Sequence, residues 1–193
     1  MIRPVLVLMI LFFAIYMATL DVPPLFAPDE TRYAEIPREM LKTGNWITPK
    51  LNGMDYFEKP VLGYWATAIS LFVFGENAWA VRFPSMAATG LAALMLYFFV
   101  GRLSDKRHAV VTAFMYLSFL AVVVLGKISL LDILLNAFIT GGLIFFFLGH
   151  EPHERKRFLF LGTAGLFAGL AFYTKNRSCG QVLPIRSQHR EPV

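Results

Sequence analysis

Hydrophobic and polar positions fall in long blocks along this chain rather than alternating at short range. Residues 4–20, 78–100, 109–125, 130–148 and 158–173 are almost unbroken apolar runs. Each approaches the roughly 20 residues that a helix needs to cross a bilayer core. They predict an all-α, polytopic membrane protein of five spans. Residues 61–74 are apolar but shorter, which suits an interfacial or re-entrant helix better than a crossing.

The runs are separated unequally. A long polar insert, residues 21–78, follows the first of them, and Pro23-Pro24 opens it by ending the preceding helix. Within it, Tyr33, Ile36 and Met40 recur at i, i+3 and i+7 with charges between them, so residues 30–42 read as a short amphipathic helix. Asp29 stands where an N-cap belongs, and Pro37 is expected to weaken or bend the helix. Residues 42–60 read as turns and extended chain, punctuated by Gly44, Pro49, Asn52-Gly53 and Pro60.

Composition agrees with the pattern. The chain has 193 residues, of which 56% are hydrophobic and 16% charged, against about 45–50% and 25% in soluble domains. In a membrane protein its net charge of +5 says little about nucleic acid, and the informative feature is where the cations sit, two short connections being rich in them. GRLSDKRH holds Arg102, Lys106 and Arg107, and HEPHERKR holds Arg155, Lys156 and Arg157. Such loops face the cytoplasm. Alternation then places the N-terminus inside and the 21–78 insert, the GKISL turn and the end of the fifth span outside. A sixth span at 61–74 would reverse both basic loops. The first run lacks a clean small-residue cleavage site and reads as an uncleaved signal anchor. The single Cys179 forms no internal disulfide, and no Cys/His pattern indicates structural zinc.

Three charged regions and one further lysine converge on the outer side: Asp29, Glu30 and Arg32; Asp55, Glu58 and Lys59; Lys127 and Asp132; and Lys175. Asp132 lies among apolar residues, with Asn136 one turn on along the same face. It either lines a wet cavity, or only reaches the interface or pairs with Lys127. Asp29 is either a cap or a reactive group held by capping. Glu58-Lys59 is either a solvated pair or part of a cavity wall. Trp46, Tyr56, Phe57, Tyr64 and Trp65 suit an interfacial belt, or contact with sugar or lipid. Arg32, Arg38 and Lys59 are of the type that clamps phosphate. A carboxylate beside cations at a membrane-edge cavity suits transfer from a polyprenyl-phosphate donor, with the acid as base or as ligand of a divalent metal. A small non-catalytic assembly or transporter-subunit protein is the reading from another class.

FAPDETRYAEIPREML, NWITPKLNGMDYFEKPVLGYW and AVRFPS resemble the N-terminal part of bacterial polyprenyl-phosphate-dependent glycosyltransferases of the C-type membrane fold, in the protein O-mannosyltransferase-like superfamily. The nearest branch is that of the aminoarabinose transferases acting on lipid A. The resemblance covers about residues 1–175. It implies a sugar donor on undecaprenyl phosphate, a lipid or protein acceptor at the periplasmic face of the inner membrane, and a membrane-lipid environment. It also implies that Asp29 and Asp132 are the cavity acids, as bases or sharing a divalent metal. Arg32, Glu58, Lys59 and Lys175 become substrate-binding residues, with Lys59 near the donor phosphate. Members of the family are far longer and continue T-K-G into apolar sequence, whereas this chain reads TKNRSCGQVLPIRSQHREPV. Residues 176–193 are therefore expected to be an aberrant, disordered tail, and the chain alone is expected to be inactive.

Overall fold

The computed structural model describes residues 8, 10, 12–21, 24, 25, 28–129, 131–151 and 156–175. The tail at 176–193 lies outside these residues, as does part of the first run. The described part of that run carries a π-helical turn, Phe13–Met17. Seven α-helices follow: α1 Asp29–Thr43, α2 Leu62–Phe74, α3 Ala78–Leu103, α4 Lys106–Ser118, α5 Leu120–Lys127, α6 Leu131–Gly149 and α7 Arg157–Thr174. The only strands among the described residues are β1 Lys50–Leu51 and β2 Met54–Asp55, an antiparallel hairpin between α1 and α2.

Helices α3, α6 and α7 are each long and apolar enough to span a bilayer. The run at 109–125 is not one straight helix: α4 and α5 meet at an angle of 61°. Neither Pro nor Gly lies at the break. Phe119 turns extended (φ −66°, ψ 124°). The Ser118 hydroxyl donates back to the Phe114 carbonyl at 2.6 Å, a bond that bends helices. The Leu117 carbonyl accepts from the buried Tyr16 hydroxyl at 2.8 Å. The broken span is thus held by a tertiary bond from the first segment. Helix α2 is short, with Ile69, Phe72, Val73 and Phe74 exposed, in keeping with the interfacial or re-entrant expectation.

The spans pack through small residues, because without water inside the membrane close backbone approach supplies the attraction. Ala88 and Ala92 of α3 meet Ala137 of α6. Phe167 of α7 closes over Gly141 of α6 and stacks near Phe138 and Phe145, with ring centroids 6.1 and 5.5 Å away. Large apolar side chains such as Phe98, Leu143, Phe146, Leu166 and Phe172 point outward. Such a surface would be a liability in water and is the expected one in lipid.

The insert folds over one end of the spans. Ile36 and Met40, on the expected apolar face of α1, are buried with Tyr64 of α2. Helix α1 runs unbroken through Pro37 and ends on Gly44, whose φ of 68° suits a glycine C-cap. The capping expectation for Asp29 is corrected. Pro28 occupies the N-cap position without a side-chain cap, and Asp29 is the first helical residue, its carboxylate turned to Arg32. The hairpin turns on Asn52 and Gly53, with φ of 54° and 78°. Glu39 of α1 pins that turn by accepting both backbone N–H groups, at 2.6 and 3.2 Å.

Candidate functional site

A cavity of about 180 Å³ opens where the insert meets the ends of α6 and α7. Asp29, Arg32, Glu58, Lys59, Asp132 and Lys175, the six residues expected from the sequence, all line it. Tyr33, Tyr56, Tyr64 and Leu131 complete the wall. Helix α1 brings Asp29, Arg32 and Tyr33 on adjacent turns. The DYFEKP segment after the hairpin brings Tyr56, Glu58 and Lys59. Asp132 lies in the first turn of α6, and Lys175 immediately follows α7.

The charged groups form two sets. In the first, Arg32 Nη2 donates to Asp29 Oδ1 at 2.6 Å, and Arg32 Nη1 reaches the Tyr56 hydroxyl at 3.0 Å and Glu58 Oε2 at 3.4 Å. The Tyr56 hydroxyl in turn donates to Glu58. In the second, Lys175 Nζ pairs with Asp132 Oδ1. Asp132 therefore does not pair with Lys127, which closes α5 and is not part of the cavity wall. Asn136 is turned to the Tyr116 hydroxyl of α4, 2.8 Å away.

Lys59 differs from the other two cations. Its nearest carboxylate oxygen, on Glu58, is 4.0 Å away, the limit of ion pairing. Lys59 also lines a second, apolar groove of about 510 Å³ with Phe57, Pro60, Trp65, Phe172 and Tyr173. It therefore stands at the junction of a charged cavity and an apolar groove.

The side chains of Asp29, Glu58, Asp132 and Lys175 are 44–61% exposed. Ion pairs this accessible contribute about 0–1 kcal/mol. They are thus easily exchanged for contacts to a ligand. Hydrogen bonding to Tyr56 raises the affinity of Arg32 for its proton, so Arg32 stays cationic. Burial, aided by Asp29, pushes the Tyr33 hydroxyl up to about 12. Burial and the bond to Glu58 raise Tyr56. Both hydroxyls are therefore donors, not bases, at neutral pH.

One ionic pair was not foreseen from the sequence. Arg82 of α3 and Glu30 of α1 are fully buried, at 0% exposure each. Arg82 Nε and Nη2 donate to the two Glu30 oxygens at 2.9 and 2.7 Å, and further bonds reach the Leu20 and Pro24 carbonyls at 2.8 and 3.0 Å. The Ser129 N–H also donates to Glu30, at 2.8 Å. This pair ties α3 to the residue beside Asp29 and to the turn that leads into Asp132. The signal available was the charge of Arg82 at the outer end of a span, in the AVRFPS motif.

Asp29 and Asp132, the acids expected to share a divalent metal, line the same cavity. Each acid is engaged by a cation, and among the described residues no three His, Cys, Asp or Glu side chains gather as a metal group.

The protein-family model described as dolichyl-phosphate-mannose-protein mannosyltransferase matches residues 1–184. The chain is 44% identical over 165 residues to the undecaprenyl phosphate-alpha-4-amino-4-deoxy-L-arabinose arabinosyl transferase of Shewanella sediminis, covering 85% of this chain and 30% of that protein. It is 42% identical over 166 residues to the enzyme of the same name from Aeromonas salmonicida, with the same coverage. The chain thus spans about 30% of the length of the curated relatives it matches. Crystal structures of ArnT from Cupriavidus metallidurans, in the apo state and bound to undecaprenyl phosphate, each match with a TM-score of 0.83 at 29% identity. Each match covers 91% of this chain and 32% of the other. With most of its length matched by the family model and its apolar helices arranged as in ArnT, this chain is a multi-pass membrane member of the dolichyl-phosphate-mannose-protein mannosyltransferase family.

Proposed function

We propose that this chain forms the donor-phosphate end of a glycosyltransferase. In this reading the complete enzyme moves a sugar, 4-amino-4-deoxy-L-arabinose or a close relative, from undecaprenyl phosphate to lipid A or another acceptor at the periplasmic face. The observation that carries the reading is the position of Lys59. A polyprenyl-phosphate donor has an anionic head and an apolar tail, and Lys59 faces both a charged cavity and an apolar groove. The names of the relatives and the undecaprenyl phosphate-bound ArnT support the same ligand.

The cavity wall holds three acids and three cations, so a phosphate must displace existing pairs. Lys59 is the least committed cation and takes the phosphate first. Arg32, released from Asp29, gives a planar second contact. In the transfer step the bond between the anomeric carbon and the phosphate oxygen breaks. The electron pair stays on the phosphate, where Lys59 and Arg32 stabilise it. An acceptor oxygen, of a hydroxyl or a phosphate, bonds to the anomeric carbon, and the proton it carries passes to the Asp29 carboxylate. Lys175 holds Asp132 at the opposite wall, where that carboxylate orients the sugar or acceptor. In this reading the N-terminus is cytoplasmic and the cavity lies at the periplasmic side of the inner membrane, which the basic connections at the other end of the spans support.

The test is a chimera in which residues 1–175 replace the matching part of the Shewanella sediminis relative, assayed for sugar transfer to lipid A. The chimera should transfer sugar, and Asp29→Asn and Lys59→Met should each lower the rate by at least ~100-fold, the usual size of a base or charge-stabilising contribution. Full rates in both variants would remove these residues from the reaction.

A further inference from the structure

The end of the bundle away from the cavity carries positive charge that its own acids do not balance. Arg102 Nη2 lies 2.8 Å from Glu151 Oε2, which draws the end of α3 beside the end of α6. Among the described residues of the two connections, Arg102, Lys106, Arg107, Lys156 and Arg157 face only Asp105 and Glu151. Five cations against two acids leave an excess of three. Lys106, Arg107 and Arg157 are exposed and make no ion pair among the described residues. The cavity end, by contrast, is balanced.

Helix stability does not explain this placement. Lys106 and Arg107 open α4 directly after its N-cap Asp105, which accepts from the His108 N–H, and Arg157 opens α7 with no acid in its first turn. The helix dipole disfavours cations at that position. Beside them, Leu103, Phe158 and Leu159 are 50%, 89% and 61% exposed and continue the lipid-facing surface. The 19 residues of α6, with Asp132 in the first turn, separate this end from the cavity by about 28 Å, close to the thickness of a bilayer's hydrocarbon core. The cations therefore lie at headgroup level with apolar side chains directly beneath.

We propose that this end is a binding surface for anionic phospholipid, with Lys106, Arg107 and Arg157 on the phosphates and Leu103, Phe158 and Leu159 against the acyl chains. A lipid fits better than a soluble anion because the cations are continuous with the bilayer-facing surface. It fits better than the sugar donor because the donor cavity is at the opposite end.

The experiment reconstitutes the full chain in nanodiscs of mixed phosphatidylglycerol and phosphatidylcholine and reads the lipid retained after release by native mass spectrometry. Phosphatidylglycerol should be enriched severalfold over its share in the nanodisc, and high salt should abolish the enrichment. Neutralising Lys106→Gln, Arg107→Gln and Arg157→Gln together should lower it by roughly fivefold or more, since one surface cation near anionic lipid contributes about that factor. The charge-keeping set Lys106→Arg, Arg107→Lys and Arg157→Lys should retain it. Retained lipid that mirrors the bulk mixture in the unaltered chain overturns the proposal whether or not the variants fold. So does enrichment that the neutral set keeps, or that Lys59→Met alone removes, which would move the lipid to the cavity.

Discussion

Arg82 and Glu30 are joined by two hydrogen bonds in the interior, one residue from the exposed pair of Asp29 and Arg32. The two neighbours in α1 therefore have opposite energetics. Removing one partner of a buried pair leaves a charge without compensation and costs about 3–5 kcal/mol. Arg82→Met or Glu30→Leu should unfold the insert, seen as lost thermal cooperativity in detergent. Arg82→Met combined with Glu30→Leu should recover part of the loss. Asp29→Asn should change stability by less than about 1 kcal/mol. Equal destabilisation by Asp29→Asn and Glu30→Leu would contradict this division.

The contrast also marks what the sequence made legible. Apolar runs revealed the spans, because a bilayer demands a length of hydrophobic chain that no loop provides. The six cavity residues were legible because charges at the same ends of separate spans must meet on one side. Arg82 was not, since a cation at a span end ordinarily reaches for headgroups, and its partner Glu30 lies 52 positions earlier. The break between α4 and α5 was hidden for a similar reason. A bond from Tyr16 to Leu117, 101 positions apart, accompanies it, and the one local signal is Ser118, whose hydroxyl bonds back to the Phe114 carbonyl.

Gly126 of α5 tests that broken span. A Cβ there would lie 2.6 Å from Thr89 Oγ1 and 2.8 Å from Tyr16 Cε1, and both neighbours are fully buried. Gly126→Ala should cost about 1–3 kcal/mol by overpacking and should loosen the Tyr16 bond. Thermal unfolding and hydrogen exchange at residues 117–120 would show it. A variant as stable as the parent would mean that α5 is free to shift.

A pH dependence follows from α1. Glu35 and Arg38 are bonded on its surface, and the Arg38 guanidinium holds the Glu35 carboxyl below its ordinary value of 4.5. A depressed carboxyl adds stability above the unfolded value, and that stability is lost as pH falls through the folded value. Amide exchange in α1 should therefore quicken on acidification below about 4.5, and Glu35→Gln should flatten this part of the profile. An unchanged profile in Glu35→Gln would assign the acid sensitivity to another group.

Lys59 joins the charged cavity to the apolar groove, where it is proposed to anchor a lipid phosphate. The most direct measurement is the binding of geranylgeranyl phosphate and of geranylgeraniol to the purified chain, each with Lys59→Met and Lys59→Arg. Losing one charge-assisted bond of about 1.5–3 kcal/mol weakens binding roughly 10- to 150-fold. Lys59→Met should lose that much affinity for the phosphate and little for the alcohol, and Lys59→Arg should keep most of it. Equal affinity for phosphate and alcohol in the unaltered chain, or phosphate binding unchanged in Lys59→Met, would exclude Lys59 as the phosphate anchor.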